Sequence, residues 1–405
     1  MFNVRFAARM ASPVRILTAV PICDGHDSAI NTINLEFIRH GIEVVYLGFH
    51  RYAGDIVRAA IQEDVAAIGI SSYNGGHIDF FAEVVKQLRR QGADDIAVFG
   101  GGGGTITYDD ARLMKRQGVD QIFFAGTSLT EMADYVRKHY GKARRKRSAK
   151  GNRDDLVLAR ELTVIEDGYA NGARRKKSGR KKIKVGPAKV IGFTGPGGAG
   201  KTTLIDELIL RFLQNEPKAR IAILSHDPSV VGEGALLGDR ATMINSQDDR
   251  VFMRSMATRG QAGGLSPATE DCLVRLMQAD FDYVIIETVG TGQEALPFRG
   301  KLIDQTVLVM NPDYGARLQL QKIVMLDVAD IVVVNKTDLD RAKAALVEIE
   351  HRLTQNKRAQ QLVATVAKRH RDAGVDALYR MITRGDETKE RKPASRAGKT
   401  KARKR

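Results

Sequence analysis

The chain has 405 residues, of which 43% are hydrophobic, and it carries a formal net charge of +16 with 39 glycines and no tryptophan. This length excludes a single small domain and allows two or three, because domains usually hold about 100–200 residues. No apolar run approaches the ~20 residues that a membrane-spanning helix needs, and Cys23 and Cys272 are the only cysteines. We therefore expect a soluble protein of the reducing cytoplasm that makes no contact with a membrane.

The positive charge is concentrated in three segments. Residues 142–150 hold six Lys or Arg, residues 174–184 hold eight, and residues 389–405 hold nine beside one Glu. The rest of the chain is net acidic, so the basic character belongs to a linker and a tail. Runs of like charge repel each other and cannot bury a core, and we expect them to be solvated. Recruitment of RNA or another acidic partner by these runs stays open as an alternative.

The N-terminal part of the chain alternates short apolar strands with amphipathic helices. This repetition predicts an α/β fold, a doubly wound, flavodoxin-like parallel sheet over residues 13–140. Ligands of such sheets bind outside the carboxyl ends of the strands. The predicted strands and helices, in alternation, cover residues 14–20, 28–40, 44–47, 54–62, 66–70, 80–90, 96–99, 109–117 and 121–124.

A second βα series follows a basic linker, residues 141–187, in which residues 154–168 form one helix or a short turn. It predicts a second α/β domain over residues 188–383, before a tail, residues 384–405, that we expect to be disordered. Its predicted strands cover residues 189–193, 221–225, 283–287, 305–309 and 331–334, and its last helices cover residues 342–353 and 359–381.

Residues 195–203 read GPGGAGKTT and lie between an apolar strand and an amphipathic helix. This is the context of a phosphate-binding loop, in which glycines let backbone N–H groups surround phosphate oxygens. We expect Lys201 to reach the β- and γ-phosphates as a catalytic residue and Thr202 to bind Mg²⁺. The predicted nucleotide-binding residues of the loop are Gly195, Gly198, Ala199, Gly200, Lys201, Thr202 and Thr203.

The segment Asn-Lys-Thr-Asp at residues 335–338 directly follows an apolar strand. The Asp338 carboxylate can accept hydrogen bonds from N1–H and the 2-amino group of guanine, donors that adenine lacks. Together with Asn335 and Lys336 it predicts that GTP, rather than ATP, is the substrate. The domain is therefore predicted to be a P-loop GTPase.

Acidic residues end two strands of the same domain. Asp227 follows the strand at 221–225, and Glu287 and Thr288 follow the strand at 283–286. Oxygen ligands suit Mg²⁺, so these residues are candidate magnesium contacts, direct or through water. They could equally be turn residues or solvated strand ends. The glycine-rich run 232–239 is predicted to be a switch loop that responds to the γ-phosphate.

The motifs DPS at 227–229, GALLGDR at 234–240, MRSMATRG at 253–260 and ETVG at 287–290 resemble those of the G-protein chaperones that attend methylmalonyl-CoA mutase. The resemblance covers residues 189–353 and implies that GTP hydrolysis gates cofactor delivery. It also implies that Asp239 is a catalytic switch carboxylate linked to Mg²⁺. The family commonly has a second basic residue shortly after this aspartate, where this chain has Ala241 and Thr242.

Three further motifs lie at strand ends of the N-terminal sheet. They are CDGHDSA at 23–29, GISSYNGGH at 69–77 and FGGGGG at 99–104. The imidazole of His26 suits cobalt, and the Asp24 carboxylate could fix its tautomer, although a lone histidine is more often a surface or core residue. The glycine run would let the backbone approach a bulky flat ligand.

These elements resemble the base-off cobalamin-binding domains. The resemblance implies that His26 is the lower axial cobalt ligand, that Asp24 is its partner, and that Ser71 contacts the tail of the cofactor. Two positions depart from the family pattern, since Ala29 stands for a glycine and Tyr73 for a leucine. The residues implied to bind cobalamin are Asp24, Gly25, His26, Asp27, Ser71, Gly100, Gly101 and Gly102.

The combination resembles the front part of the fused isobutyryl-CoA mutases more than it resembles ordinary methylmalonyl-CoA mutases. In the fused mutases this part precedes a substrate barrel, which we do not expect in this chain. We therefore expect a GTPase that binds adenosylcobalamin and acts as chaperone and carrier for a separate acyl-CoA mutase barrel subunit. One alternative is the small subunit of a two-chain isomerase with a regulatory GTPase. Another is a GTPase switch recruited by its basic runs. We also expect a homodimer.

Overall fold

The computed structural model describes residues 13–22, 24, 28–141, 155–170, 186–230, 233–290, 298, 302–314, 324–356 and 358–384. The three basic runs lie outside these residues, as do Gly25, His26 and Asp27 of the first cobalamin motif. The described part of the chain contains two parallel sheets with helices between their strands. None of its helices is long and apolar enough to cross a membrane. We call residues 13–141 the N-terminal half and residues 186–384 the C-terminal half.

The N-terminal half has the predicted doubly wound sheet. Its strand order is β5-β4-β3-β1-β2, which is the flavodoxin-like order, and the chain reverses direction across the sheet between β1 and β3. β1 is buried along its whole length, as expected for a parallel strand covered on both faces. The elements are β1 (Arg15–Pro21), α1 (Ser28–Arg39), β2 (Glu43–Arg51), α2 (Ala53–Gln62), β3 (Ala67–Ser71), α3 (His77–Arg90), β4 (Ala97–Gly101), α4 (Tyr108–Gln117), β5 (Gln121–Phe123) and α5 (Leu129–Tyr140).

The C-terminal half has a sheet with the strand order β13-β12-β11-β6-β10-β7-β9, and all its pairs are parallel. The fold class predicted from the sequence is thus confirmed for both halves. The elements are β6 (Lys189–Thr194), α7 (Lys201–Asn215), β7 (Ile221–Asp227), β8 (Ala235–Leu237), α8 (Asp239–Thr242), β9 (Val251–Ala257), α9 (Thr269–Met277), β10 (Tyr283–Glu287), β11 (Gln305–Met310), α10 (Met325–Val328), β12 (Ile331–Val334), α11 (Ala342–Thr354), β13 (Gln361–Ala364) and α12 (Ala373–Arg384).

Two sequence predictions were wrong in this half. The segment 359–381 is not one helix, because β13 pairs with β12 at its start and α12 begins only at Ala373. The run 232–239 is not a loop throughout, because β8 lies within it. β13 has only four residues, and β8 only three, so neither gives a periodic pattern long enough to identify a strand.

The two halves meet through β8 and through α6 (Asp155–Ala170), which lies in the segment predicted to be a linker. β8 pairs with β2 and so extends the sheet of the N-terminal half. α6 places Leu156 in the core of the N-terminal half and Leu158 in that of the C-terminal half. Charged side chains form what we call the junction network where the halves meet, and all of them are buried except Arg259, which is partly exposed: Arg15, Glu43, Glu63, Glu166, Arg240, Arg254 and Arg259.

Candidate nucleotide and cobalamin sites

The loop after β6 has the backbone conformation of a phosphate-binding loop. Gly195, Gly198 and Gly200 have φ values of 144°, 72° and 84°, which residues other than glycine rarely adopt. A Cβ at Gly195 would lie 2.0 Å from the carbonyl oxygen of Val309, so a larger residue does not fit there. α7 starts directly after the loop, at Lys201, and its N-terminus adds a positive potential. The loop therefore presents backbone donors and a helix dipole to an anion.

Lys201 and Thr202 occupy the first turn of α7. Lys201 is 7% exposed, and its Nζ donates to two carbonyl oxygens of the loop at 3.2 and 3.4 Å. Burial lowers the pKa of Lys201, while the negative charges of Glu287 and Asp239 oppose this change. Thr202 donates its hydroxyl to Glu287 Oε1 at 2.7 Å. The ammonium group is therefore held inside the loop, next to a cluster of carboxylates.

This cluster consists of Asp227, Asp239 and Glu287. Asp227 ends β7, Glu287 ends β10, and Asp239 begins α8. The Asp239 carboxylate accepts from the hydroxyl of Ser225, and Asp227 accepts from the backbone N–H groups of Gly238 and Asp239. Burial raises the pKa of all three, and neighbouring negative charges raise that of Asp227 and of Glu287 further, Glu287 to about 8. A cation at this place would relieve the repulsion.

The cluster fits Mg²⁺ that is shared with phosphates and water. Asp227 Oδ2 and Glu287 Oε2 are buried without a hydrogen-bond partner in the part of the chain that the structure describes. No three His, Cys, Asp or Glu side chains among the described residues could hold a metal ion by themselves. Mg²⁺ does not need such a set, because it keeps several waters and takes one or two protein ligands beside the substrate phosphates. Thr288, a further predicted ligand, donates its hydroxyl to Thr194 Oγ1 at 3.1 Å.

The loop predicted to read the base is fixed to the phosphate loop by Asn335. Its Nδ2 donates to the Ala199 carbonyl oxygen at 2.9 Å, and its Oδ1 accepts from Thr365 Oγ1 and from the backbone N–H of Ala367, both at 3.0 Å. Asn335 is 2% exposed. It therefore braces the two loops against each other, whereas the sequence analysis assigned it to the nucleotide. The next residue, Lys336, has a φ of 61°, in the left-handed region.

Asp338 lies at the accessible end of this loop. It forms an ion pair with Lys368 Nζ at 2.5 Å, and this hydrogen bond lowers the pKa of Asp338. Lys368 follows β13 and was missed by the sequence analysis, which extended a helix through this segment. The run Thr365-Val-Ala-Lys after a four-residue apolar strand was the only local signal. A guanine at Asp338 would therefore share its carboxylate with Lys368.

A cavity of about 200 Å³ opens at the carboxyl edge of the N-terminal sheet, beside the neighbouring strands β1 and β3. This is the topological switch point, at which ligands of doubly wound sheets bind. The cavity brings together the predicted residues Ser71, Gly100, Gly101 and Gly102. Its other walls are mainly apolar and include Ala29, Ile30, Ile33, Phe37, Tyr73, Phe99, Phe123 and Met132.

The glycine run of β4 is required by the packing of the sheet as well as by the cavity. A Cβ at Gly100 would lie 2.3 Å from the Ile70 carbonyl oxygen, and one at Gly102 would lie 2.1 Å from that of Ser72. Both contacts are too close for any side chain. Close contact with β3 and the residue after it is therefore a second reason for these glycines, beside the predicted approach of a ligand.

Asp24 is 1% exposed, and its carboxylate accepts a hydrogen bond from the backbone N–H of Tyr73. Its neighbours Gly25, His26 and Asp27 lie outside the described residues, so their roles stay predictions. Tyr73 and Ala29, the two positions that depart from the family pattern, both line the cavity.

Thr18 of β1 also lines the cavity, and the sequence analysis missed it. It is fully buried, and its Oγ1 has no hydrogen-bond partner within the described residues. A hydroxyl in the middle of an apolar strand was the only available signal. An apolar cavity of about 200 Å³ with a glycine wall and an unpaired hydroxyl fits a flat, mostly apolar group with a few polar atoms, such as one part of a larger ligand.

Residues 158–405, more than half of the chain, match the family model of the methylmalonyl-CoA mutase-associated GTPase MeaB. The chain belongs to the MeaB family. Residues 14–133 match the model of the B12 binding domain. The N-terminal half of this MeaB-family protein is thus a B12-binding domain, and the cavity lies within it.

The comparison with curated proteins confirms the predicted likeness to the fused mutases. The fused isobutyryl-CoA mutase of Cupriavidus metallidurans is 38% identical over 389 residues, which cover 91% of this chain and 35% of that protein. That of Geobacillus kaustophilus is 36% identical over 395 residues, covering 90% of this chain and 36% of that protein. This MeaB-family chain therefore spans about a third of the length of these relatives.

Proposed function

We propose that this MeaB-family protein hydrolyses GTP with Mg²⁺, holds adenosylcobalamin in its N-terminal half, and serves an acyl-CoA mutase barrel subunit as cofactor carrier and chaperone. In this proposal residues 13–140 bind cobalamin, residues 188–383 bind GTP, residues 141–187 link them, and residues 384–405 form a tail. The observation that carries it is the convergence of Lys201, Thr202 and three carboxylates at the end of the glycine loop.

Each group of the nucleotide site has a role that its surroundings support. Lys201 exchanges its carbonyl partners for phosphate oxygens and stabilises the charge that develops there. Thr202, Asp227, Asp239 and Glu287 would hold Mg²⁺ directly or through water. When bound, Mg²⁺ neutralises charge on the phosphates as a Lewis acid. The glycine loop holds the phosphates in place and orients the terminal phosphate for attack by water.

The base is selected by Asp338, whose carboxylate matches the two donors of guanine. Wild-type protein is expected to turn over GTP about 10²-fold or more faster than ATP, since adenine lacks both donors and leaves the Asp338 carboxylate without these hydrogen bonds. Asp338→Asn should turn over GTP poorly and should turn over xanthosine triphosphate instead. The 2-oxo group of xanthine accepts a hydrogen bond at the position where guanine donates one. Equal kcat/KM for ATP and GTP in the wild type would contradict the assignment.

Cobalamin binding is tested separately, by the absorption spectrum of the full chain titrated with adenosylcobalamin. If His26 replaced the cofactor's own base, cobalt would keep a nitrogen ligand, and the bound cofactor would absorb much as the free base-on cofactor does. His26→Ala should remove this spectrum, with GTP turnover unchanged. Unchanged affinity and spectrum in the variant would refute the ligand assignment.

A second candidate function is that of the small subunit of a two-chain acyl-CoA mutase, with GTP hydrolysis in a regulatory role. The relatives named fused isobutyryl-CoA mutase favour it, since their chains extend well beyond the matched part. Mixing the protein with a mutase barrel subunit separates the two. A carrier leaves after delivering the cofactor to the barrel, whereas a subunit stays bound and is required for each turnover.

A further inference from the structure

The segment 235–240 belongs to both halves of the molecule at once. β8 is the edge strand of the N-terminal sheet, where Ala235 pairs with Glu43 and Leu237 pairs with Val45. Leu237 is fully buried in the core of that half. Only Gly238 separates β8 from Asp239, whose carboxylate belongs to the proposed magnesium cluster. A movement of either end of this short segment therefore displaces the other end.

The residue after Asp239 is held by the N-terminal half. Arg240 is fully buried, and its Nε donates to Glu63 Oε1 at 3.1 Å. Its Nη2 donates to Gln62 Oε1 at 3.1 Å and to the Met253 carbonyl oxygen at 2.5 Å. Gln62 ends α2, and Glu63 is its C-cap residue. The guanidinium group thus fixes the backbone next to Asp239 to a helix end of the cobalamin-binding domain.

Glu63 has no exposed surface and is satisfied by several donors. It accepts from the backbone N–H of Ser255 at 3.1 and 3.0 Å and from the Ser255 hydroxyl at 2.9 Å. Arg15 Nη1 lies 3.7 Å from its second oxygen. With so many partners, the carboxylate has a single well-defined position. A carboxylate held in this way restricts the position of the Arg240 guanidinium group far more than an exposed ion pair would.

On the basis of the proposed function, we infer that Glu63 is a positioning residue for GTP hydrolysis: through Arg240 it sets the place of Asp239. The cobalamin-binding domain thereby completes the nucleotide site of its neighbour. Because a coupling between two sites acts in both directions, occupation of the nucleotide site also changes the restraint on the C-terminal end of α2.

A purely structural role of Glu63 would predict a different result, because Glu166 is a matched control. Glu166 is also buried in the junction network, where it pairs with Arg15 at 2.9 Å and with Arg254 at 2.5 Å. It makes no hydrogen bond to segment 235–240 within the described residues. Loss of its charge weakens the junction without touching the residue next to Asp239.

The experiment compares wild type, Glu63→Gln and Glu166→Gln as full chains. Binding of Mn²⁺ to the GDP-loaded protein, followed by electron paramagnetic resonance, measures the metal site without turnover. Glu63→Gln should weaken Mn²⁺ binding and lower kcat for GTP by about tenfold each, within the range of substitutions that act on coupled sites. Its affinity for GDP without a divalent ion should stay within about twofold. Glu166→Gln should lower the unfolding temperature while keeping Mn²⁺ affinity and kcat near wild type.

Wild-type Mn²⁺ affinity and kcat in Glu63→Gln would overturn the inference, and so would an equal loss in both variants. Absence of GDP binding in the wild type would instead refute the proposed function. If Glu63→Gln fails to fold, Arg240→Lys keeps the charge but loses the forked contacts with Gln62 and Met253. The Arg240→Lys variant must then show the same selective loss of Mn²⁺ affinity. Wild-type Mn²⁺ affinity and kcat in this variant would overturn the inference.

Discussion

The two candidate sites of this protein are built on opposite physical principles. The nucleotide site is polar, with Lys201 and three buried carboxylates whose pKa values are raised by burial and by each other. The candidate cobalamin cavity is mostly apolar, and its polar parts include glycine backbone, Ser71 and the buried hydroxyl of Thr18. Charge should therefore decide binding and catalysis at the first site, and shape should decide binding at the second. Substitutions that leave the junction network in place should therefore act mainly at their own site.

The largest effect is expected from Lys201→Ala. Removal of the ammonium group that faces the phosphates should lower kcat for GTP by about 10²–10³-fold, the typical cost of losing one electrostatic donor. Cobalamin affinity should not change, because Lys201 lies in the C-terminal half. GTP turnover and a cobalamin titration check the two statements. A turnover within a few-fold of wild type would show that Lys201 is not catalytic.

The second prediction concerns Glu166 of the junction network, whose charge is expected to matter for stability. Burial opposes ionisation of Glu166, but the charges of Arg15, Arg254 and Arg259 outweigh it and lower the pKa of Glu166 to about 2. Its stabilising effect is therefore complete above its unfolded pKa of about 4.3 and is lost as the pH falls through about 2. Between pH 5 and 2 the wild type should lose up to about 3 kcal/mol more stability than Glu166→Gln.

Urea unfolding at a series of pH values measures this difference. Glu161 is on the same helix, and 47% of its side chain is exposed, so Glu161→Gln serves as the matched control. It should keep the pH dependence of the wild type. The prediction fails if Glu166→Gln has the same slope as the wild type.

Shape at the cobalamin cavity is tested by Gly102→Ala. The added methyl group would lie 2.1 Å from the Ser72 carbonyl oxygen, so β4 has to move away from β3. We expect a loss of about 1–3 kcal/mol in stability and a roughly tenfold or greater loss of cobalamin affinity, since overpacking distorts the cavity wall. Gly75→Ala, which has nothing within 4 Å of its Cβ, should change neither quantity. Normal cobalamin titration of Gly102→Ala would contradict the packing argument.

The smallest effect is expected from Thr18→Val, which keeps the shape of the cavity and removes one hydroxyl. If this hydroxyl bonds to the cofactor, affinity should fall by about five- to tenfold, the usual worth of one hydrogen bond. Stability of the cofactor-free protein should not fall, because the hydroxyl has no partner within the described residues. A lower unfolding temperature with unchanged cobalamin affinity would assign Thr18 to the fold instead.

The sequence by itself determined the two parallel sheets and proposed most residues of the two candidate sites. Alternation of apolar strands with amphipathic helices is a local pattern, and it identified the flavodoxin-like order now seen in β1 to β5. The phosphate loop was equally local, since glycines at fixed spacing before Lys201 have few other uses. Local patterns of this kind are read directly from neighbouring residues.

Only the tertiary structure decided how the two halves are joined. β8 is three residues long and pairs with β2, nearly two hundred residues earlier, through backbone groups that every residue shares. The contact between Glu63 and Arg240 joins residues 177 positions apart. The residues next to Glu63 and Arg240 in the sequence do not indicate whether these side chains are buried and paired or exposed to solvent. Such pairing depends on the three-dimensional packing of both sheets, and it is this packing that brings Asp239 under the influence of the cobalamin-binding domain.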